Sequence, residues 1–389
     1  MRKITIFVVL GTRPEAIKLL PLVHAARRRP DVEVVLCNTG QHREMSAKVL
    51  EIFGLKPDID LDVMQAGQTL TDVTVRILAG LQAHLEQLKP DWLVVQGDTT
   101  TTFTAALAAF YQKIPVAHVE AGLRTGDIYA PWPEEMNRRL VSEIAVLHFP
   151  PTEPAAGNLL REGVASERIL VTGNTGIDAL KWLTGRLTAD DSLRAQARGE
   201  LLGAGVPVAA ADNERPYVLI TGHRRESFGA GFESICAAVG ELADRYPDHD
   251  FIYPVHPNPR VRETVYAKLG SASRPNVYLI DPLDYLPFVA LMSNAALILT
   301  DSGGVQEEAP SLGRRVVVLR EVTERMEGLE TGLIRLAGTD RQKIVGDVAD
   351  ALSGVWAQPA CGCDVYGDGK ASDRVLDTMC DYSRAMQER

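Results

Sequence analysis

The chain has 389 residues, 46% of them hydrophobic and 24% charged, with 32 Gly and 22 Pro, a composition that fits a folded globular protein of about two domains and excludes disordered, collagen-like and coiled-coil chains. A formal net charge of −10 repels polyanions and argues against a nucleic-acid partner, while five Cys in so long a chain make no disulfide framework and point to a reducing, cytoplasmic setting. The opening MRKITIFVVL is too short an apolar run for a secretory signal, and no stretch reaches the roughly 18 apolar residues that would span a bilayer, so no membrane partner is expected.

Short runs rich in Val, Ile and Leu at residues 3–10, 32–37, 92–96, 115–119, 144–149 and 169–173 predict strands apolar on both faces. Helical patterns lie between them. In residues 70–89, Leu70, Val73, Ile77, Leu81, Leu85 and Leu88 keep the 3.6-residue period behind a capping box of Thr69 and Asp72. A polar, weakly patterned region follows at 186–216, after which runs at 217–221, 250–255, 277–280, 296–300 and 315–319 resume the alternation. Such alternation implies parallel sheets covered by helices. The expected fold is α/β, with two doubly wound Rossmann-like domains facing across a cleft: residues 1–178, residues 179–368, and a C-terminal helix at 369–389 expected to pack back on the first domain.

In doubly wound sheets ligands lie beyond the carboxyl ends of the strands, where the polar segments of this chain fall. GTRPEAIK follows the first strand and sets Arg13 and Lys18 near a helix N-terminus, an anion-binding arrangement. GDTTTT puts Asp98 and Thr99 to Thr102 between a strand and a helix, where simple N-capping is the plain alternative. In HVEAGLRTGD and PWPEEMNR, Glu120 ends a strand, and Glu134, Glu135, Arg138 and Arg139 open a helix whose first turn favours acids in any case. GHRRESFG supplies His223, Arg224, Arg225 and Glu226, and YPVHPNPRV places His256 between prolines. DSGGVQEEAPSLG is the most anion-friendly segment, because Ser302, Gly303 and Gly304 let backbone N–H groups approach a phosphate, while Glu307 or Glu308 can accept from a ribose. No dinucleotide fingerprint, Walker loop, nucleophile elbow or two-His metal spacing occurs.

In this order and spacing, GTRPEAIK, GDTTTT, HVEAGLRTGD, PWPEEMNR, GHRRESFG, DSGGVQEEAPSLG and TER resemble the non-hydrolysing UDP-N-acetylglucosamine 2-epimerases, from about residue 4 to the YGDG at 366–369. The resemblance implies a fold of the glycosyltransferase B type, a nucleotide-binding second domain, a homodimer, and no metal or nicotinamide cofactor. It implies interconversion of UDP-N-acetylglucosamine and UDP-N-acetylmannosamine through 2-acetamidoglucal, supplying cell-surface polysaccharide synthesis. Asp98, Glu120 and Glu134 match the acid/base carboxylates, with His223 beside them as a catalytic and diphosphate-contacting residue. Arg13 and Lys18 match substrate contacts, Ser302, Gly303 and Gly304 the phosphate turn, Glu308 the ribose acid, Phe288 the uracil segment, and Arg325 a further motif position. Gln41, His42 and His256 match the segment that binds a second UDP-N-acetylglucosamine as activator.

Two departures stand out. Met326 replaces the Pro usual after TER, and Cys363-Asp364-Val365 replaces the Asn-Pro usual before YGDG, which bears on loop rigidity more than on the carboxylates. A hydrolysing epimerase shares nearly all these residues. A retaining glycosyltransferase on the same fold and a non-catalytic nucleotide-sugar sensor are the other readings.

Overall fold

The computed structural model describes residues 2–387 apart from 66, 225–227, 271–273, 324 and 360. The chain divides into two compact units, residues 1–182 with 366–389, and residues 183–365. The first contains β1 (Ile4–Leu10), α1 (Arg13–Arg27), β2 (Val32–Asn38), α2 (Arg43–Ile52), β3 (Ile59–Asp60), α3 (Leu70–Leu88), β4 (Trp92–Gln96), α4 (Thr100–Tyr111), β5 (Val116–Val119), α5 (Glu134–Ile144), β6 (Leu147–Phe149) and α6 (Glu153–Arg161). Its six strands are ordered β3-β2-β1-β4-β5-β6 and all pair in parallel, so the order reverses between β1 and β4. That switch point is where open α/β sheets leave a crevice for ligands.

Strands buried on both faces explain the near-continuous apolar runs. Phe7 and Val9 of β1 and Leu93 and Val95 of β4 pack into one core with Ile77, Leu81 and Leu85 of α3 and Ala105, Ala106 and Ala109 of α4. The capping box that starts α3 is formed: Asp72 N–H donates to Thr69 Oγ1 at 3.2 Å, and Thr69 N–H to Asp72 Oδ2 at 2.8 Å. Residues 169–173 do not form a strand. Ile169 makes one isolated bridge to His148, and the segment then leads into α7 (Thr175–Ala189), which runs across the boundary of the units.

The second unit holds α8 (Asp191–Gly203), α9 (Val208–Ala211), β7 (Tyr217–Thr221), α10 (Ala230–Arg245), β8 (Asp250–Pro254), α11 (Pro259–Leu269), β9 (Val277–Ile280), α12 (Tyr285–Asn294), β10 (Leu297–Thr300), α13 (Gly303–Ser311), β11 (Val316–Val318), α14 (Met326–Glu330), β12 (Ile334–Leu336) and α15 (Arg341–Leu352). Its parallel order β12-β11-β10-β7-β8-β9 repeats the first sheet's pattern, with the reversal between β10 and β7. Val218, Ile220, Phe251, Leu299 and Val317 pack under α10 and α15 residues such as Val239, Leu242 and Val348. The last helix, α16 (Ala371–Gln387), belongs to the first unit: it packs on α1, and Asp178 caps it by accepting from Ala371 N–H at 3.2 Å and Ser372 N–H at 2.7 Å. No described helix is long and apolar enough to cross a membrane.

Ile220 is fully buried at the centre of the second sheet. Ile220→Ala is expected to cost about 2–5 kcal/mol, read as a lower denaturant midpoint for the second unit.

Candidate active site

The first unit gathers its polar groups at the carboxyl edge of β1, β2, β4 and β5. Thr12 caps α1, and Glu15 closes the reciprocal box, its Oε2 accepting Gly11 N–H at 3.0 Å and Thr12 N–H at 2.7 Å. A Cβ on Gly11 would stand 2.5 Å from Thr101 Oγ1 and 3.3 Å from Gln41 Cβ, so only glycine lets these loops close over one another. Arg13 opens α1, and Lys18 lies one turn further along. Gln41 accepts from Thr101 Oγ1 at 2.9 Å, and His42 N–H donates to Gly11 O at 2.6 Å. Burial and then the Arg13 charge hold the His42 imidazole below its usual range.

Two of the three expected carboxylates are tied into this edge by cations. Glu120, directly after β5, has a left-handed backbone at φ +59°, which costs a side-chain-bearing residue about 1–2 kcal/mol. Its carboxylate pairs with the Lys18 ammonium and accepts from the Gln96 amide. Asp98 follows β4 and pairs with Arg138, while its backbone carbonyl accepts from Asn137 Nδ2 at 2.9 Å. Burial pushes the Asp98 carboxyl above the ordinary carboxylate range; the Arg138 charge opposes the rise and Glu120 adds to it.

Asn137 and Arg138 lie on α5, whose first residue is Glu134, so the helix that grips Asp98 also delivers Glu134. Glu134 is half-buried and held by no ion pair among the described residues. Its neighbour Glu135 is fully buried and accepts from Thr125 N–H at 3.1 Å and Gly126 N–H at 3.3 Å, with Arg138 and Arg139 at 3.3 and 3.4 Å. Glu135 therefore ties the preceding loop down onto α5. Behind the edge, His118 Nε2 lies 2.8 Å from Gly97 O. A carbonyl only accepts, so this nitrogen carries the proton, and burial drives the imidazole down to about 3.

The second unit builds its polar edge on β7 and β10. Asp301, buried at the end of β10, accepts from His223 N–H and Arg224 N–H at 2.7 Å each through Oδ2, with His223 Nδ1 3.3 Å from Oδ1. The His223 ring stacks on His256, centroids 5.1 Å apart. His256 Nδ1 accepts from Asn258 N–H at 3.1 Å, and burial, with His223 adding, lowers His256. Ser302 is the N-cap of α13 and makes no side-chain capping bond, so the first-turn N–H groups, Gly303 and Gly304 among them, are not satisfied by the cap residue.

Arg325 pairs with Glu307 at 2.8 Å, and its guanidinium would stand 3.0 Å from a Cβ on Gly303, which is why that position has none. Glu308 sits in the same helix turn. Phe288 is half-buried in the first turn of α12, and Met326, exposed, opens α14. Arg225, Glu226 and Glu324 lie outside the described residues.

The structure thus joins Arg13, Lys18, Asp98, Glu120, Gln41 and His42 along one sheet edge, brings α5 and Glu134 to it, and groups His223, His256 and Ser302 to Gly304 with Arg325 along the other. Sequence reasoning passed over Glu15, Gln96 and Asn137, and saw Asp301 only as the acid that ends a strand before the Ser302 turn. The Thr12-x-x-Glu15 spacing carried the signal for the first; nothing local marked Gln96 or Asn137. An apolar cavity of about 910 Å³ opens at the opposite, amino edge of the first sheet beside Trp92, Phe110, Tyr111 and Tyr382, and holds none of these groups. No group of three His, Cys, Asp or Glu side chains among the described residues is arranged to hold a metal ion.

Comparison with known proteins gives a consistent picture. The model of the UDP-N-acetylglucosamine 2-epimerase family matches residues 24–380. The UDP-N-acetylglucosamine 2-epimerase of Escherichia coli O157:H7 is 52% identical over 381 residues, 97% of this chain and 98% of that protein. The crystal structure of the Neisseria meningitidis UDP-GlcNAc 2-epimerase bound to UDP-GlcNAc superposes with a TM-score of 0.85 at 43% identity, covering 97% of this chain and 100% of that one. The Methanocaldococcus jannaschii enzyme in complex with UDP-GlcNAc and UDP gives a TM-score of 0.77 at 34% identity, with 97% and 100% covered. On the extent and level of this identity, the chain belongs to the UDP-N-acetylglucosamine 2-epimerase family.

Proposed function

We propose that this chain interconverts UDP-N-acetylglucosamine and UDP-N-acetylmannosamine without hydrolysis, by eliminating UDP to 2-acetamidoglucal and adding it back. The observation that carries the reading is the paired carboxylates at one sheet edge, Asp98 raised by burial and Glu120 beside the Lys18 ammonium. The C2 proton of the sugar is not next to a carbonyl, so its removal is coupled to departure of the group on C1. A carboxylate takes the C2 proton as the C1–O bond breaks, the C1=C2 double bond forms and UDP leaves with the electron pair. A proton delivered to the other face of C2 as UDP returns to C1 completes inversion, with no net gain or loss of atoms.

Asp98, Glu120 and Glu134 share these transfers, since one carboxylate cannot serve both faces of C2. A carboxyl raised by burial is better suited to giving as well as taking a proton than one in the ordinary carboxylate range. Arg13, Lys18 and His223 offset the diphosphate charge, and the start of α13 at Ser302, Gly303 and Gly304 offers backbone N–H groups to phosphate. Glu308 takes the ribose, Phe288 the uracil and Arg325 the phosphate side. Relatives whose structures hold UDP-GlcNAc, or UDP-GlcNAc with UDP, support this nucleotide specificity.

The same reading extends to a second UDP-N-acetylglucosamine as activator at Gln41, His42 and His256. It extends also to a cytoplasmic homodimer, which the exposed Phe110 and Tyr111 of α4 support, and to supply of cell-surface polysaccharide synthesis.

Proton NMR of UDP-N-acetylglucosamine with chelator-treated protein in deuterated water, without nicotinamide, is expected to show UDP-N-acetylmannosamine deuterated at C2. Free N-acetylmannosamine with UDP would instead mark a hydrolysing enzyme, and an unchanged sugar a binding protein. Arg138 opposes the burial-driven rise of Asp98, so Arg138→Met is expected to move the pH-rate limb governed by Asp98 to higher pH. A limb that stays in place would show that Arg138 does not set the charge of Asp98.

A further inference from the structure

We infer that Glu15 is a positioning residue that holds the turn carrying Arg13 in register with the turn carrying Asp98; the inference rests on the proposed role of Asp98. Glu15 is 1% exposed, so its carboxyl group meets no solvent. Its two oxygens face two different parts of the chain. Oε2 accepts Gly11 N–H at 3.0 Å and Thr12 N–H at 2.7 Å, fixing the β1–α1 turn immediately before Arg13. Oε1 accepts the Thr99 hydroxyl at 2.6 Å, in the β4–α4 turn immediately after Asp98, and lies 3.0 Å from the Thr102 hydroxyl in the first turn of α4.

Thr102 Oγ1 also reaches Gln96 O at 2.6 Å, and its single proton serves one acceptor at a time, so the end of β4 enters the same network. Gln96 is in turn the amide that donates to Glu120. A helix-capping glutamate needs only the first pair of bonds. The second pair, to residues 84 and 87 positions away, has no part in capping α1 and is what joins the two turns. Burial raises the Glu15 carboxyl against the hydrogen bonds that lower it, so the group sits at a cost that the cap alone would not require.

The full-length chain tests this through four variants assayed for epimerisation of UDP-N-acetylglucosamine. In Glu15→Gln the amide oxygen keeps the backbone N–H pair and the NH₂ faces Thr99 and Thr102, whose hydroxyls must turn round to accept from it, so the charge-assisted bonds that join the two turns are lost. Thr102→Val keeps the shape and removes the hydroxyl, whereas Thr102→Ser keeps it. Misplacement of the Asp98 turn predicts a kcat lower by about tenfold or more in Glu15→Gln, with a smaller rise in KM through the Arg13 turn. A several-fold kcat loss is expected in Thr102→Val, restored by Thr102→Ser, and Glu15→Asp, too short to reach both turns, is expected to fall with Glu15→Gln.

A merely structural role lowers the thermal midpoint and leaves kcat per folded molecule unchanged, and that result overturns the inference. Where Glu15→Gln does not fold, the Thr102 pair decides alone: equal kcat in Thr102→Val and Thr102→Ser overturns it. Wild-type protein assayed alongside separates the two readings. No epimerisation by the wild type defeats the proposed function, whereas full turnover by Glu15→Gln and Thr102→Val defeats only the role of Glu15.

Discussion

Charge balance at the carboxyl edge of the first sheet governs how this protein is built. Carboxylates brought close together on buried strand ends repel one another, and each loses hydration that only a cation or a hydrogen bond can replace. The chain answers with cations: Lys18 from α1 for Glu120, and from α5 Arg138, shared by Asp98 and Glu135, with Arg139 also beside Glu135. Each partner comes from a helix whose position the pairing therefore fixes. The edge is the part that ties α1 and α5 to the strand ends.

The second unit solves a related problem with one acid. Asp301 accepts from two successive backbone N–H groups and lies beside the His223 ring, so a single buried carboxylate shapes the β7 turn and orients an imidazole. The ion pair of Arg325 with Glu307 lies across the start of α13, against a glycine that leaves it room. In both units the polar side chains of the edge are thus held by groups from other elements of the same unit, and the sheet order reverses between β1 and β4 and between β10 and β7.

Much of the fold was legible because parallel strands buried on both faces must be apolar throughout. The runs at 3–10, 92–96 and 217–221 correspond to β1, β4 and β7. The run at 169–173 has the same composition yet makes only one bridge, because its backbone pairs at isolated points, Leu170 N–H to His148 O and Thr172 N–H to Pro150 O. Strands β3 and β12, two and three residues long, are too short to show a pattern. Helix α8 hid in the polar region because only Ala197 and Leu201 of its 13 residues are buried. At the site, motif positions were visible but their partners were not. Lys18 and Glu120 are 102 residues apart, and Glu15 and Thr102 are 87, distances over which no periodicity speaks.

His118 and His148 stand opposite one another on β5 and β6, His118 beneath the Asp98 turn, and burial drives them down to about 3 and about 4. Both rings therefore stay uncharged at neutral pH. The floor of this edge thus carries no charge of its own, and the hydrogen bond from His118 to Gly97 keeps the same donor and the same acceptor. A lysine or arginine there would have imposed a fixed field on the acids, whereas the neutral His118 ring holds the Gly97 turn and leaves the titration to the acids and their own cations.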